Sequence, residues 1–197
     1  MNKLMGFYEL KESSLPTIPW QLYTPSVQLD NTKLWTIRSA VNRGDDLNLP
    51  RLVGKNAVEA KQFADNLYEK LRDKGIVIYY PYFIAHKSGT LNVFYDKTIV
   101  EAVKKDLWNL VTLQDVDVSI KFDSEMNITD IHGNVNFFEV KEINELLSNV
   151  KKIRHMFRED LLEGKSILLE WSYASNCNTN NEVVDEQYLV FYEARSI

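Results

Sequence analysis

Two glutamates near the end of the chain are residue types that could hold a metal ion. Glu170 and Glu193 each lie inside an apolar run, in segments predicted as β-strands over 166–173 and 187–195. If the strands pair, the two carboxylates can lie close together on one face, where buried like charges need a partner. Mg²⁺ would serve, because proteins hold it through one or two carboxylates plus substrate phosphates. The alternative is a hairpin with two solvent-facing glutamates.

Arg195 adds a second chemistry to this pair. Side chains two apart on a strand point the same way, so Arg195 shares a face with Glu193. An arginine beside a metal site suits a polyphosphate ligand, because its guanidinium group binds phosphate oxygens. The three residues together predict a site for Mg²⁺ and a polyphosphate.

The segments that carry these residues resemble a known family. Leu-Glu-Trp-Ser at 169–172 and Tyr-Leu-Val-Phe-Tyr-Glu-Ala-Arg-Ser at 188–196 resemble the "IEWA" and "LYIVQARP" strands that end the ATP-binding domain of phosphoenolpyruvate synthase and pyruvate phosphate dikinase. That domain has the ATP-grasp fold. The resemblance implies that Glu170 and Glu193 bind Mg²⁺ and that Arg195 contacts phosphate. Glutamate at 193 replaces the family's glutamine, as in many other ATP-grasp enzymes.

Two earlier segments extend the resemblance and add two cations. Residues 3–16 resemble the family's opening "GGKxxNLxELxxxGLPVP" without its flanking glycines, which implies that Lys3 contacts ATP phosphate. Residues 38–46 resemble "VRSSAxxED", which implies that Arg38 reaches the nucleotide phosphates and that Asp45 takes the acidic position. The rigid head group of arginine suits phosphate oxygens. From the residues alone, a solvent-exposed lysine and a surface pair of Arg38 with Asp45 stay open.

The apolar pattern predicts the elements around these side chains. A helix over 96–110 is indicated by an apolar stripe and by Thr98 and Glu101, which have the spacing of a capping box. The family has a glycine-rich segment here, and this chain has no glycine at the corresponding positions. The other predicted elements are strands over 34–38, 76–84, 116–122 and 127–138 and helices over 55–73 and 139–163.

Two tyrosines stand where the family has other residues. Tyr80 and Tyr82 occupy the positions of a family glutamine and methionine, in the strand that leads to the linker behind the adenine. An aromatic ring there stacks on a purine or packs in the core, and both interpretations are open.

The composition indicates the class of protein. The chain has 197 residues, of which 45% are apolar and 26% charged, as in a soluble globular protein. It has no apolar run long enough to span a membrane, and its first residues lack the apolar core of a signal peptide. The single cysteine, Cys177, excludes internal disulfides and fits a reducing cytoplasm. A net charge of −5 argues against nucleic-acid binding, which usually shows a basic patch.

The predicted fold class is α+β, a two-lobed ATP-grasp-like fold with mainly antiparallel sheets. The N-terminal lobe would cover 1–75 and the C-terminal lobe 76–197, with the nucleotide between them. The resemblance implies transfer of phosphate from ATP, with Mg²⁺, to an unknown acceptor, and it gives Arg38 and Arg195 the catalytic roles. Because the sequence contains no phosphohistidine domain, the acceptor is expected to be another molecule or a separate partner chain.

Two other functions are compatible with the sequence. The first is a degenerate, non-catalytic ATP-grasp module that binds a ligand or a protein, which the missing glycines and the change to Tyr80 favour. The second is a structural or interaction domain without a nucleotide. A cytoplasmic protein that binds neither nucleic acid nor membranes is expected in each case.

Overall fold

Two antiparallel β-sheets and their covering helices make up the protein. The computed structural model describes residues 1–44, 49–107 and 116–197. Every strand pair within the two sheets is antiparallel, and a single-residue parallel bridge joins Thr17 to Phe191. The predicted α+β class with mainly antiparallel sheets is confirmed. Asp45 lies outside the described residues.

The elements have the following bounds. The helices are α1 (Lys3–Glu12), α2 (Ala57–Leu71), α3 (Val140–Ser148), α4 (Val150–Met156) and α5 (Arg158–Leu162). The strands are β1 (Gln21–Leu22), β2 (Trp35–Val41), β3 (Leu52–Lys55), β4 (Gly75–Pro81), β5 (Phe83–Val93), β6 (Thr98–Lys104), β7 (Val118–Phe122), β8 (Ile128–Gly133), β9 (Ile167–Asn176) and β10 (Tyr188–Ser196). No helix in the described part of the chain is both long and apolar enough to cross a membrane.

The four-stranded sheet carries Arg38 on an inner strand. Its order is β1-β4-β2-β3, and Arg38 lies opposite Ile78 of β4. α2 covers this sheet, because its small and apolar face packs with Ile37 and Val77 in one buried cluster. The helix starts at Asn56, whose side chain accepts hydrogen bonds from the second and third amides of the first turn. The strand predicted over 34–38 and the helix predicted over 55–73 are confirmed.

The six-stranded sheet carries the two glutamates. Its order is β10-β9-β5-β6-β7-β8, so the predicted hairpin over 166–173 and 187–195 is confirmed as the pair β9 and β10. The strand predicted over 76–84 is divided between the two sheets. β4 ends at Pro81, β5 begins at Phe83, and the chain changes sheet at Tyr82.

The helix predicted over 96–110 is wrong in its described part. This segment forms β6, which pairs with β5 on one side and β7 on the other. Thr98, Val100 and Ala102 are buried and alternate with less buried neighbours, which is the period of a strand. Its β-branched residues also favour a strand. Hydrogen bonds to two neighbouring strands therefore outweigh the capping-box spacing of Thr98 and Glu101.

The long helix predicted over 139–163 is divided into α3, α4 and α5. The breaks fall at Asn149 and at Phe157. At Phe157 the backbone leaves helical geometry, with φ −111° and ψ 31°. The predicted apolar face remains in use, because Val150, Ile153 and Phe157 are buried in the same cluster as the six-stranded sheet. The helices therefore cover the sheet as three short segments.

α1 packs tightly against β10 and places Lys3 beside that strand. Gly6 makes this approach possible, since a Cβ at this position would lie 1.8 Å from the carbonyl oxygen of Ala194. The side chain of Asn2 caps the helix by accepting a hydrogen bond from the amide of Met5 at 3.0 Å. Lys3 is consequently buried, with 8% of its surface exposed.

The predicted division into two lobes at residue 75 stays a prediction. β4 begins at Gly75 and belongs to the four-stranded sheet, whereas the chain leaves that sheet at Tyr82. The amide of Tyr82 donates to the carbonyl of Leu34 at 2.9 Å, which fixes this crossing point against the start of β2.

Candidate functional site

A cavity of about 1020 Å³ opens between residues of both sheets. Its described wall includes residues of α1, of β2, β3 and β4 of the four-stranded sheet, and of β5, β6, β9 and β10 of the six-stranded sheet. All five site residues predicted from the sequence lie on this wall: Lys3, Arg38, Glu170, Glu193 and Arg195. The fold therefore brings together residues from four separate segments of the chain.

Glu170 and Glu193 lie directly opposite each other on β9 and β10. A β-bulge sets this register, because Tyr192 is inserted between the pairs Phe191–Trp171 and Glu193–Glu170. The predicted proximity of the two carboxylates on a groove that Arg195 also lines is confirmed. A role in metal binding does not follow from proximity alone.

Glu193 is the centre of a buried cluster of cations. Its Oε2 accepts a hydrogen bond from Arg38 and lies 3.3 Å from Lys3 Nζ, and its Oε1 accepts one from Arg195. Burial alone would raise the pKa of Glu193, but the charges of Arg38, Lys3 and Arg195 outweigh burial and lower that pKa to about 2. The carboxylate therefore stays charged and serves three cations at once.

Arg38 is fixed by aromatic rings as well as by charge. Its guanidinium group lies 5.6 Å from the ring centroid of Phe7 and 5.6 Å from that of Tyr192, within cation–π distance. One of its nitrogens donates to the Tyr192 carbonyl at 3.3 Å. Burial would lower the pKa of Arg38, yet the neighbouring Glu193 raises it above its ordinary value. The head group is thus always charged and held in one orientation.

Glu170 differs from its opposite neighbour. Its Oε2 lies 3.9 Å from Arg38 Nη2, and 19% of its side chain is exposed, against 3% for Glu193. Burial, followed by the negative charge of Glu193, raises the pKa of Glu170 to about 7. Both carboxylates line the cavity, and Glu170 is the more exposed of the two.

Lys3 completes the inner end of the cavity. Burial and the nearby charge of Arg38 lower its pKa, while Glu193 and Glu170 act in the opposite direction. Its Nζ also lies 6.0 Å from the ring centroid of Phe7, which packs below Arg38. The three cations thus share one carboxylate, and Lys3 and Arg38 also share the ring of Phe7.

The aromatic wall of the cavity comes from the crossing between the sheets. Tyr82 and Phe83 have nearly parallel rings, with centroids 6.5 Å apart and planes 4° apart. Both tyrosines line the cavity, but Tyr82 is half-buried, whereas Tyr80 is 4% exposed and packs in a core cluster with Ile78. Of the two tyrosines singled out in the sequence, Tyr82 is therefore the one placed to contact a planar ligand.

Binding of Mg²⁺ by Glu170 and Glu193 stays a prediction. Both oxygens of Glu193 already accept hydrogen bonds from guanidinium groups, and an added cation would lie beside Lys3, Arg38 and Arg195. In the described part of the chain, no group of three or more His, Cys, Asp or Glu side chains could hold a metal ion. A phosphate group fits better, because all three cations donate hydrogen bonds and a phosphate accepts them.

Sequence reasoning missed the basic residues that line the cavity away from Glu193, namely Arg51, Lys104 and Lys105. In total, six basic and three acidic side chains line the described part of the cavity, although the whole chain has a net charge of −5. The basic ones are Lys3, Arg38, Arg51, Lys104, Lys105 and Arg195. The adjacent Lys104 and Lys105 could have indicated these residues. The helix predicted over 96–110 was wrong there, so their position at the end of β6 was not foreseen.

His86 also lines this outer wall. It lies at a bulge in β5, between the register pairs of Ala85 and Lys87, and its Nε2 is 3.0 Å from Ser175 Oγ. Its carbonyl accepts a hydrogen bond from the amide of Lys105 at 2.9 Å. Lys105 has φ +63°, a left-handed conformation that costs energy in a residue with a side chain. The bulge at His86 and the left-handed residue Lys105 are thus joined by a hydrogen bond at the edge of the cavity.

The comparisons with known proteins add no family. A search against protein-family models gives no match, and a search of curated proteins gives no match either. The ATP-grasp resemblance therefore stays a prediction, and the functional proposal rests on the residues and their geometry.

Proposed function

We propose that this protein is an ATP-grasp-like nucleotide-binding protein whose cavity takes the polyphosphate of ATP. The observation that carries the proposal is the convergence of Lys3, Arg38 and Arg195 on one carboxylate at the wall of a cavity. Lys3 and Arg38 are buried in this cluster, and all three cations line the cavity. Lysine and arginine side chains bind phosphate oxygens through charge-assisted hydrogen bonds, so this wall is suited to phosphate groups.

The remaining wall supports a nucleoside as the other part of the ligand. Tyr82 and Phe83 offer flat apolar surface, and Val53 and Leu107 also line the cavity. Ligand pockets are typically about 300–1,000 Å³ and combine apolar walls with a few polar groups. A cavity of about 1020 Å³ with a cationic inner end and an aromatic side matches that description.

Transfer of phosphate from ATP to an acceptor is a second candidate, which Glu170 favours. A carboxyl whose pKa is about 7 can accept or donate a proton near neutral pH. In such a reaction Glu170 would accept the proton that the attacking hydroxyl group loses. Arg38 and Arg195 would neutralise charge on the transferred phosphoryl group. The binding function does not depend on this step.

Calorimetric titration of the protein with ATP and with adenosine in buffer containing Mg²⁺ tests the proposal. ATP should bind, and adenosine should bind much more weakly because it lacks the groups that the cations contact. Arg195→Gln should weaken ATP binding. Arg154→Gln is the matched control, since Arg154 contacts carbonyl oxygens of Phe94 and Lys97 outside the cavity wall. Equal affinities for ATP and adenosine, or no binding of either, would contradict the proposal.

A further inference from the structure

We propose that two copies of this chain associate through their β8 strands, which pair antiparallel across a two-fold axis at Ile131. The two six-stranded sheets then join into one continuous sheet. This association does not depend on the proposed function, because β7 and β8 contribute no residue to the described wall of the cavity.

The two edges of the six-stranded sheet differ in how they are covered. At the β10 edge, the amide of Phe191 donates to the carbonyl of Pro16 at 2.8 Å, and its carbonyl accepts from the amide of Ile18 at 3.2 Å. At the other edge β8 pairs with β7, and no described segment pairs with its outer side. An edge strand with open N–H and C=O groups is a template for another strand.

The backbone of Ile131 points to this open edge. Just beyond β8, the amide of Asn134 donates to the carbonyl of Asp117 on the β7 side at 2.8 Å, and the pairing register is continuous from residue 133 to residue 130. Because backbone groups alternate in direction along a strand, residues 130 and 132 face β7 and Ile131 presents its N–H and C=O outward. Two β8 strands centred on Ile131 can therefore exchange a pair of backbone hydrogen bonds at the axis.

The side chains of β8 complement one another about the same point. Asp130 and His132 are both exposed on one face of the strand, and His132 Nε2 lies 2.9 Å from Asp130 Oδ2. In the proposed register, Asp130 of each copy lies opposite His132 of the other, so two carboxylate–imidazole pairs form across the interface. These are the non-hydrogen-bonded positions of the ladder, where opposed side chains approach most closely. A register centred on Asp130 or on His132 would instead oppose two identical groups.

The other face of β8 is apolar at the axis. Ile131 lies opposite Ile120 of β7 and packs against the core cluster of the six-stranded sheet, but it stays partly exposed. Two Ile131 side chains that meet at the axis bury part of this remaining surface. Because the paired segment is short, we expect a weak symmetric dimer that forms in the micromolar range or above.

Sedimentation velocity of the wild-type protein, over a series from low micromolar to submillimolar concentration, tests the association. We expect a monomer at the lowest concentrations and a dimer at the highest. A protein that stays monomeric throughout the series would overturn the proposal.

Charge variants test the register. In a dimer of His132→Glu, two pairs of carboxylates oppose each other, and in a dimer of Asp130→Lys, two ammonium groups oppose imidazoles. Each variant alone should raise the dissociation constant of the dimer by about tenfold. An equimolar mixture of the two variants should associate at least as tightly as the wild type. In the mixed dimer one Asp130–His132 pair is kept, and the introduced carboxylate faces the introduced ammonium group.

The mixture separates pairing between chains from the contact within one chain, because mixing cannot restore a contact within a chain. Glu69→Lys changes an exposed pair with Arg72 on α2, away from β8, and is the control that should associate like the wild type. Variants at 130 and 132 that associate like this control, or a mixture no tighter than its components, would overturn the proposal. The wild-type concentration series stands without the variants.

Discussion

Two buried glutamates in this protein, Glu142 and Glu193, have equal exposure and different surroundings. Each is 2% exposed. Glu142 has one cationic partner, Lys87 at 2.5 Å, and two neutral donors, the Gln187 side chain at 3.0 Å and the Glu139 amide at 2.8 Å. Glu193 has three cationic partners on a cavity wall. Glu142 thus has one charged partner among the described residues, and Glu193 has three.

The surroundings of Glu142 explain why its pair belongs to the fold. Glu142 lies in the first turn of α3, and its carbonyl accepts a hydrogen bond from Tyr173 of β9 at 2.6 Å. Lys87 comes from β5 and lies over the rings of Phe137 and Phe138. The pair therefore joins a helix to the sheet. The comparison teaches that two equally buried carboxylates can differ in the number of their charged partners and in whether they line a cavity.

The largest expected effect is that of Glu193→Gln on stability. Removing the shared carboxylate leaves three cations together, including the buried Arg38, and an uncompensated buried charge costs about 3–5 kcal/mol. Urea denaturation near neutral pH should show a loss of this size. Glu163→Gln, which changes an exposed pair with Lys165, is the control and should stay within about 0.5 kcal/mol of the wild type. A loss no larger than that of the control would refute the buried cluster of ion pairs around Glu193.

Glu142→Gln should have a smaller effect of the same kind. The substitution leaves one cation, and Lys87 is 21% exposed at its side chain, so water can reach part of it. The loss of charge-assisted hydrogen bonds at Glu142 should cost about 2 kcal/mol in urea denaturation. Tripolyphosphate affinity should not change, because Glu142 and Lys87 lie outside the described cavity wall. A change in affinity would show that the two regions are coupled.

Glu170→Gln should change the pH dependence of stability. Burial and the charge of Glu193 raise the pKa of Glu170 to about 7 in the folded protein, whereas an unfolded glutamate titrates near about 4.3. Between these values the folded state binds more protons than the unfolded state, so wild-type stability falls as the pH rises. Glutamine removes this fall, because it has no proton to lose.

Urea denaturation of both proteins at two pH values measures this difference. The variant should match the wild type near about pH 4 and be more stable by about 2 kcal/mol near about pH 8, after allowance for the partial exposure of Glu170. A gap of the same size at both pH values would mean that Glu170 does not titrate as proposed.

The smallest expected effect is that of Tyr82→Ala on nucleotide binding. If the ring contacts the base of ATP, its loss should cost about 1 kcal/mol, or roughly fivefold in affinity. Tripolyphosphate has no base, so its affinity should stay the same in parallel calorimetric titrations. Equal losses for both ligands would indicate that Tyr82 acts through the shape of the cavity instead.

The strands that carry Arg38, Glu170, Glu193 and Arg195 could be predicted from the sequence, because they are strongly patterned. The apolar runs around Glu170, Glu193 and Arg38 identify β9, β10 and β2, and their alternation indicates which side chains share a face. The proximity of Lys3 to Glu193 could not be derived from local pattern. It depends on the packing of α1 on β10 at Gly6, which is a tertiary contact.

The errors have equally physical causes. β6 was predicted as a helix because a short apolar run with a capping-box spacing is ambiguous until its neighbours in the sheet are known. That error concealed the place of Lys104 and Lys105 on the cavity rim. The role of Glu193 was also hidden, since sequence spacing can indicate two carboxylates on one face but cannot count the cations around each.

A crystal structure of the protein with ATP and Mg²⁺ tests the central claim most directly. We expect the triphosphate within hydrogen-bond distance of Lys3, Arg38 and Arg195, at the wall of the cavity that these residues line. ATP bound outside this cavity would contradict it.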